Sequence, residues 1–205
     1  MHISDSPGIP WNKGKLVGQK APLTQQQVWS IRMKLEAAGN PRNLALFNLA
    51  IDNKFRACDL LSLCVCDIAN GLTVQSRGKI VQRKTGRPVR FELTSRTQES
   101  VAAWIRYGGL SSDAFLFPSR QHHSQHLSVR QYARVMKDWI RSIGLDSMRY
   151  GTHTMRRTKA TLIYRQTKNL RAIQLLLGHS KLDSTVRYLG IEIDDALAMS
   201  EQIDI

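Results

Sequence analysis

The sequence predicts a single α/β domain, mainly α, in which helices enclose one small antiparallel sheet of three strands. Three observations lead there. Apolar residues recur at helical spacing before residue 64 and again after residue 94, strand-like segments are confined to 72–93, and Thr, Asn or Ser caps with Gly stops punctuate the helical stretches. A chain of 205 residues can bury a sizeable core without disulfide or metal staples.

Residues 1–22 carry Gly8, Pro10, Gly14, Gly18, Pro22 and three lysines without apolar periodicity, which reads as a flexible basic arm ahead of one domain over 23–205. Thr24 and Gln27 form a capping box for a helix with Val28, Ile31, Met33 and Leu35, running to Gly39. Asn40-Pro41 restarts a helix apolar on most of its circumference, hence core. A further buried helix spans Ala57 to Leu63, followed by a β-like stretch from Val65 to Ile68. The three strands are Leu72 to Gln75, Ile80 to Lys84 and Val89 to Leu93, with the turn Thr85-Gly86-Arg87-Pro88 between the last two. Helices follow over Thr97–Tyr107, over Ser128–Ile143 with a Ser128/Gln131 capping box, over Thr154–Gln166 and over Leu170–Leu177, the last closed by Gly178. Amphipathic pieces over Thr185–Leu189 and Asp194–Gln202 end the chain as a tail. Trp29, Trp104 and Trp139 fall at apolar helical positions and read as core, while Trp11 lies in the arm.

Thirty Lys and Arg against sixteen Asp and Glu give a formal net charge of +14, so the folded chain repels itself and favours a polyanionic partner, nucleic acid first. No stretch approaches the roughly 20 apolar residues of a membrane span, and the N-terminus lacks the apolar core of a secretory signal. The expectation is a cytoplasmic protein, associated with the nucleoid when on DNA. Cys58, Cys64 and Cys66 stand among Leu and Val without a second ligand pair, and read as buried free thiols. His122, His123 and His126 lack a nearby acidic or Cys ligand, and a polar loop accounts for them better than a metal site.

Breaking a DNA phosphodiester without metal needs cations on the nonbridging oxygens, an in-line nucleophile and proton carriers for the entering and leaving oxygens. Arginine suits the first task, because its planar fork matches a phosphate and stays charged. His153 and Arg156, three apart at a helix start, can face one point. Gly178 can end a helix in a left-handed turn that leaves His179 free to enter a cleft, and Tyr188 follows eight residues after Ser180. Arg56 precedes a buried helix, and Lys84 ends a strand before Thr85-Gly86-Arg87, from which a lysine can reach into a DNA groove.

In that order, Arg56, Lys84, His153-x-x-Arg156, Leu177-Gly178-His179 and Tyr188 resemble the signature of the tyrosine recombinases and phage integrases, over about residues 24–195. The resemblance implies that Arg56 and Arg156 clamp the scissile phosphate and that Tyr188 attacks phosphorus, leaving a 3′-phosphotyrosyl link and a free 5′-hydroxyl. It makes Lys84 the general acid for the 5′ oxygen, His153 the acid or base toward the tyrosine oxygen, His179 a hydrogen-bond partner of the phosphate and Asp59 the brace of the first arginine. No metal or other cofactor is implied. Arg83, Arg87, Arg157 and Lys159 are expected to contact DNA without a catalytic role.

The pattern also departs from the family. Lys54-Phe55 stand before Arg56 where the family commonly has Gly-Leu, Thr154 follows His153 where Asp is common, and the 22-residue arm is too short for the usual core-binding domain. Taken singly, Tyr188 also fits a half-buried helical tyrosine, His153 a satisfied cap histidine and Arg56 an ion-pair partner of Asp59 or Asp52. The expected function is site-specific recombination on double-stranded DNA as a homotetramer, with an accessory DNA-bending or helper protein as a further candidate partner. The rival readings are a type IB topoisomerase-like relaxing enzyme and a non-cleaving DNA-binding regulator.

Overall fold

The computed structural model describes residues 20–119 and 124–191, with 197, 200 and 201. The Thr24 hydroxyl accepts from the Gln27 amide at 3.2 Å and the Gln27 side chain accepts from the Thr24 amide at 2.9 Å, opening α1 (Gln25–Ala37). Asn40 caps α2 (Pro41–Asn53), which is buried almost all round and packs against α1, α4 (Ser95–Gly108) and α6 (Thr152–Thr167). Between them run the short α3 (Ala57–Leu61), the strands and α5 (Val129–Ser142), whose capping box joins Ser128 and Gln131 as expected. Two short helices close the described chain, α7 (Leu170–Leu177) and α8 (Leu182–Leu189).

The expected three-stranded sheet is instead two antiparallel hairpins. The first joins β1 (Ala69–Asn70) to β2 (Thr73–Val74), and the second joins β3 (Arg77–Val81) to β4 (Pro88–Glu92). Asn70-Gly71 supplies a tight turn, with Gly71 at φ +60°, so the segment after residue 72 folds back on its own preceding strand. The stretch after Leu63 is a 3-10 turn over Val65–Asp67, because the Asp67 carboxylate takes the Cys64 amide at 2.8 Å and coils the backbone.

Three further expectations are corrected. Trp29 is 42% exposed, its ring flanked by the guanidiniums of Arg32 and Arg96 at 5.0 and 4.7 Å from the centroid. Cations over the ring stabilise an indole outside the core. Cys66, within the 3-10 turn, is exposed, and Cys64 at its cap and Cys58 on α3 are only partly buried. Residues 20–22, assigned to the arm, are tied to the domain: the Ala21 amide donates to the Arg149 carbonyl at 3.3 Å, ahead of the buried Leu23. Trp11, His122, His123 and most of Asp194–Gln202 lie outside the described residues.

Two apolar clusters result. The larger gathers α1 to α5, and the smaller is Ala160, Tyr164, Ile173, Leu177 and Leu189, which binds α6, α7 and α8 together. Behind their junction lies a polar network. Asp52 accepts from the Thr94 hydroxyl at 2.6 Å, from the Thr97 hydroxyl and from Lys159 at 3.2 Å, while Glu92 accepts from Lys54 at 2.6 Å and pairs with Lys159 at 3.3 Å. Burial alone raises the Asp52 pKa, but Lys159 and the two threonines outweigh it and hold the carboxyl below its ordinary value. Burial likewise raises Glu92, and Lys54 with Lys159 brings it below.

Folded pKa values lower than unfolded ones mean stability that is fully present above about pH 4 and is lost as pH falls through the folded values. The expected result is an acid limb in urea-unfolding midpoints that Asp52→Asn flattens, together with a loss at pH 7 of about 3 kcal/mol for breaking a buried pair. An unaltered acid limb in that variant contradicts the assignment.

Candidate active site

The turn into α3 places the first arginine. Lys54 adopts the left-handed conformation at φ 56°, so it makes the turn for which the family commonly uses glycine. Its buried ammonium bonds Glu92 and the Asp52 carbonyl, and Phe55 packs edge-on against Phe91 at 5.3 Å, which together hold a conformation that a lysine alone disfavours. Arg56 then stands in extended backbone at the cap of α3, with Nη1 donating to Gln82 Oε1 at 2.5 Å. Asp59 Oδ2 lies 4.0 Å from the same nitrogen without a hydrogen bond, while Oδ1 accepts the Arg83 amide at 2.9 Å, so Asp59 is hydrogen-bonded to the hairpin and not to the arginine.

The second arginine arises on α6. Thr154 accepts the Gly151 amide at 3.1 Å, supplying at the helix start the cap that the absent carboxylate would give. His153 stays exposed at the rim, and Arg156 on the same face is 4% exposed. Arg156 Nε donates to the Lys54 carbonyl and Nη2 to the Leu177 carbonyl, both at 2.7 Å. Gln82 Nε2 reaches the same Leu177 carbonyl at 3.4 Å. A single chain of contacts, Arg56 to Gln82 to Leu177 to Arg156, therefore sets the two guanidiniums relative to each other.

Gly178 ends α7 at φ +67°, and the His179 amide returns to the Gln174 carbonyl at 3.1 Å, so the histidine leaves the helix toward the site. Its Nδ1 is 3.1 Å from the Thr185 hydroxyl. Its ring meets that of Tyr188 edge-on, with centroids 5.4 Å apart. The Tyr188 ring is 5.5 Å from the guanidinium carbons of both Arg156 and Arg157, and its hydroxyl is buried without a hydrogen-bond partner. Lys84 lies in the turn between β3 and β4, beyond the end of the strand on which it was expected, because Gln82 accepts the Gly86 amide at 2.8 Å and closes the turn early.

A cleft of about 280 Å³ is lined by Arg56, Lys84, His153 and Arg156, with Cys58 and Thr152 among its walls. A second, of about 390 Å³, is lined by Lys20, His153, Arg157, Ser184, Arg187 and Tyr188. His153 stands on both. Partial burial and the neighbouring Arg156, Arg157, Arg56 and Lys84 lower its pKa, and burial with Arg156 and Arg56 lowers that of His179 to about 4, so both imidazoles are neutral at pH 7. Burial pushes the Tyr188 phenol up to about 12, against the pull of Arg156, Arg157 and Arg56. Chemically, the first cleft offers guanidinium donors for an anionic oxygen, a neutral imidazole for a proton and an ammonium across from it.

The six expected residues thus come together around one junction. Of the four expected DNA contacts, Arg83 and Arg87 are exposed on the hairpin turn. Arg157 is buried against Tyr188 and Lys159 is turned inward to Asp52 and Glu92, so neither presents its charge to a partner as expected; α6 is buried on more of its circumference than a surface helix. Gln82 was overlooked, although just past the end of β3 it continues the inward-facing alternation of Ile80, at a position that calls for an apolar residue. Among the described residues no His, Cys, Asp and Glu group has metal-site geometry, and His126 packs on Phe115 with its ring nitrogen 3.0 Å from the Leu127 carbonyl.

In sequence and in fold the chain is similar to known proteins. The model of the phage integrase family matches residues 21–192. A Bacillus subtilis protein described as a probable integrase/recombinase, YoeC, is 26% identical over 159 residues, which cover 78% of this chain and 83% of that protein. Tyrosine recombinase XerC of Erythrobacter litoralis is 27% identical over 161 residues, covering 77% of this chain and 49% of XerC, so the chain spans about half the length of that relative. The XerH site-specific recombinase, solved bound to its difH substrate, shares the fold with a TM-score of 0.68 at 18% identity, over 91% of this chain and 56% of XerH. With the family model matched over most of its length and the expected residues gathered at one junction, the chain belongs to the phage integrase family.

Proposed function

We propose that this chain cleaves and rejoins double-stranded DNA by site-specific recombination, with Tyr188 as nucleophile. The observation that carries the reading is the convergence of two arginines, fixed through Gln82 and the Leu177 carbonyl, with His153, which lines two adjoining clefts, and with Tyr188, whose ring lies against Arg156 and His179. In the reaction, Tyr188 Oη forms a bond to phosphorus as the P–O5′ bond breaks. The phenol proton passes to His153, and the departing 5′ oxygen takes a proton from Lys84. Arg56 and Arg156 hold the nonbridging oxygens, and His179 donates to the phosphate as a neutral imidazole. The phosphotyrosyl link conserves the bond energy, so rejoining reverses the same steps without a cofactor.

Double-stranded DNA is the partner that the charge of +14 favours. Exchange between two duplexes breaks four strands, and one nucleophile per chain then requires a tetramer. An accessory DNA-bending or helper protein is a further candidate partner. Among the described residues no helix is long and apolar enough to cross a membrane.

The test is incubation with a library of nicked duplexes in EDTA, resolved on a denaturing gel: a covalent band absent from Tyr188→Phe is expected. Salt-dependent binding with no band from the unsubstituted chain contradicts the reading. A pH series adds a second check. Because His153 lies below its ordinary value of 6.5, the cleavage rate should be level above that pH and fall as acid protonates the base. His153→Gln should slow cleavage and abolish the acid limb.

A further inference from the structure

Neighbouring residues on a helix point about 100° apart, and this divergence separates Arg156 from Arg157. Arg156 turns to the carbonyls of Lys54 and Leu177, whereas Arg157 turns to the segment that enters the domain, donating from Nη1 to the Lys20 carbonyl at 2.8 Å. Both guanidinium carbons nevertheless lie 5.5 Å from the centre of the Tyr188 ring. Arg157 is only 6% exposed, its Nε is buried without a hydrogen-bond partner, and among the described residues no carboxylate pairs with it. A buried, incompletely bonded cation is costly and needs a compensating neighbour. The aromatic ring and hydroxyl of Tyr188 are that neighbour, most of all once the hydroxyl carries charge.

We propose that Arg157 is a positioning residue for the nucleophile: held by the Lys20 carbonyl, it presents a second buried positive charge to Tyr188 and makes residues 20–23 part of the active site. This rests on Tyr188 being the nucleophile. The entering segment is fastened where it must be for this role. Lys20 Nζ donates to the Met148 carbonyl at 2.6 Å, and the Leu23 amide donates to the hydroxyl of Thr158, the residue beside Arg157 on α6, at 3.0 Å. A change in the path of the entering chain is thereby transmitted to the acidity of the phenol. The other charged or titratable groups facing Tyr188 are His153 and Arg156 from α6, Arg56 from the start of α3 and His179 from the end of α7. Lys20 and Arg187 share its cleft.

The test needs no DNA. The full chain is prepared with ring-fluorinated tyrosine, whose more acidic phenol titrates at a pH the fold withstands, and Tyr188 is assigned among the five tyrosine signals by its loss in Tyr188→Phe. Arg157→Gln should raise the midpoint of the Tyr188 fluorine signal by about one pH unit, the shift for losing a nearby opposite charge, and Arg157→Lys should restore most of it. An unchanged midpoint in a folded Arg157→Gln overturns the proposal. If the other four signals show that this variant does not fold, Thr158→Val decides, since it keeps every charge and removes the acceptor of the Leu23 amide, together with the hydroxyl's own bond to the Thr154 carbonyl within α6: a raised midpoint supports the coupling and an unchanged one overturns it. The midpoint is read without cleavage, so failure here is distinct from failure to trap a covalent adduct.

Discussion

Arg156→Lys is expected to lower the DNA cleavage rate by about a hundredfold or more, the range for removing a preorganised transition-state donor, while DNA affinity at fixed salt changes little. The reason is in the bonds the guanidinium makes. Nε and Nη2 are committed to the carbonyls of Lys54 and Leu177, and the remaining donors are thereby aimed. A lysine ammonium cannot satisfy two carbonyls from different elements and still present a donor to the cleft. Leaving those carbonyls short of partners should also cost about 2 kcal/mol of stability. Cleavage rates and urea-unfolding midpoints measured on the same preparations separate the two effects. A variant that cleaves at the original rate would mean that Arg156 is a structural strut only.

Gly178→Ala is expected to destabilise the chain by about 3 kcal/mol, combining left-handed strain with overpacking, and to impair cleavage in the fraction that folds. At φ +67° a side chain is strained, and an added Cβ would stand 2.7 Å from Val89 Cγ2 and 3.1 Å from Gln82 Nε2. Relief requires the hairpin and the end of α7 to part, which moves the Leu177 carbonyl away from both Gln82 and Arg156. Adding Val89→Ala should recover part of the stability, because it removes the closer contact but leaves the backbone strain. An unshifted unfolding midpoint in Gly178→Ala would contradict this account of the turn.

Residues whose placement depends on local spacing were legible in the sequence. His153 and Arg156 share a helix face, Gly178 frees His179, and the capping boxes at Thr24 and Ser128 mark helix starts that the structure places one residue on. What escaped depends on which distant elements meet. Lys159 looks like a surface cation until α6 is seen to face Asp52 and Glu92, and Arg157 looks like a DNA contact until α8 brings Tyr188 against it. Gln82 acts through the Leu177 carbonyl, a backbone group common to every residue and so invisible in side-chain identity. The division of the strands turned on Asn70-Gly71, a turn signal that a reading of strand propensity from Leu72 onward passes over.

The central claim, that Tyr188 becomes linked to the 3′ side of a broken strand, is tested most directly by locating the link. The covalent adduct trapped on nicked DNA is digested with trypsin and nuclease and sequenced by mass spectrometry. No Lys or Arg follows Arg187, so the C-terminal peptide 188–205 holds Tyr188 and no other tyrosine. A nucleotide 3′-phosphate on that peptide, with a free 5′-hydroxyl on the other DNA fragment, is the predicted result. A link on any other peptide, or through a 5′-phosphate, would contradict it.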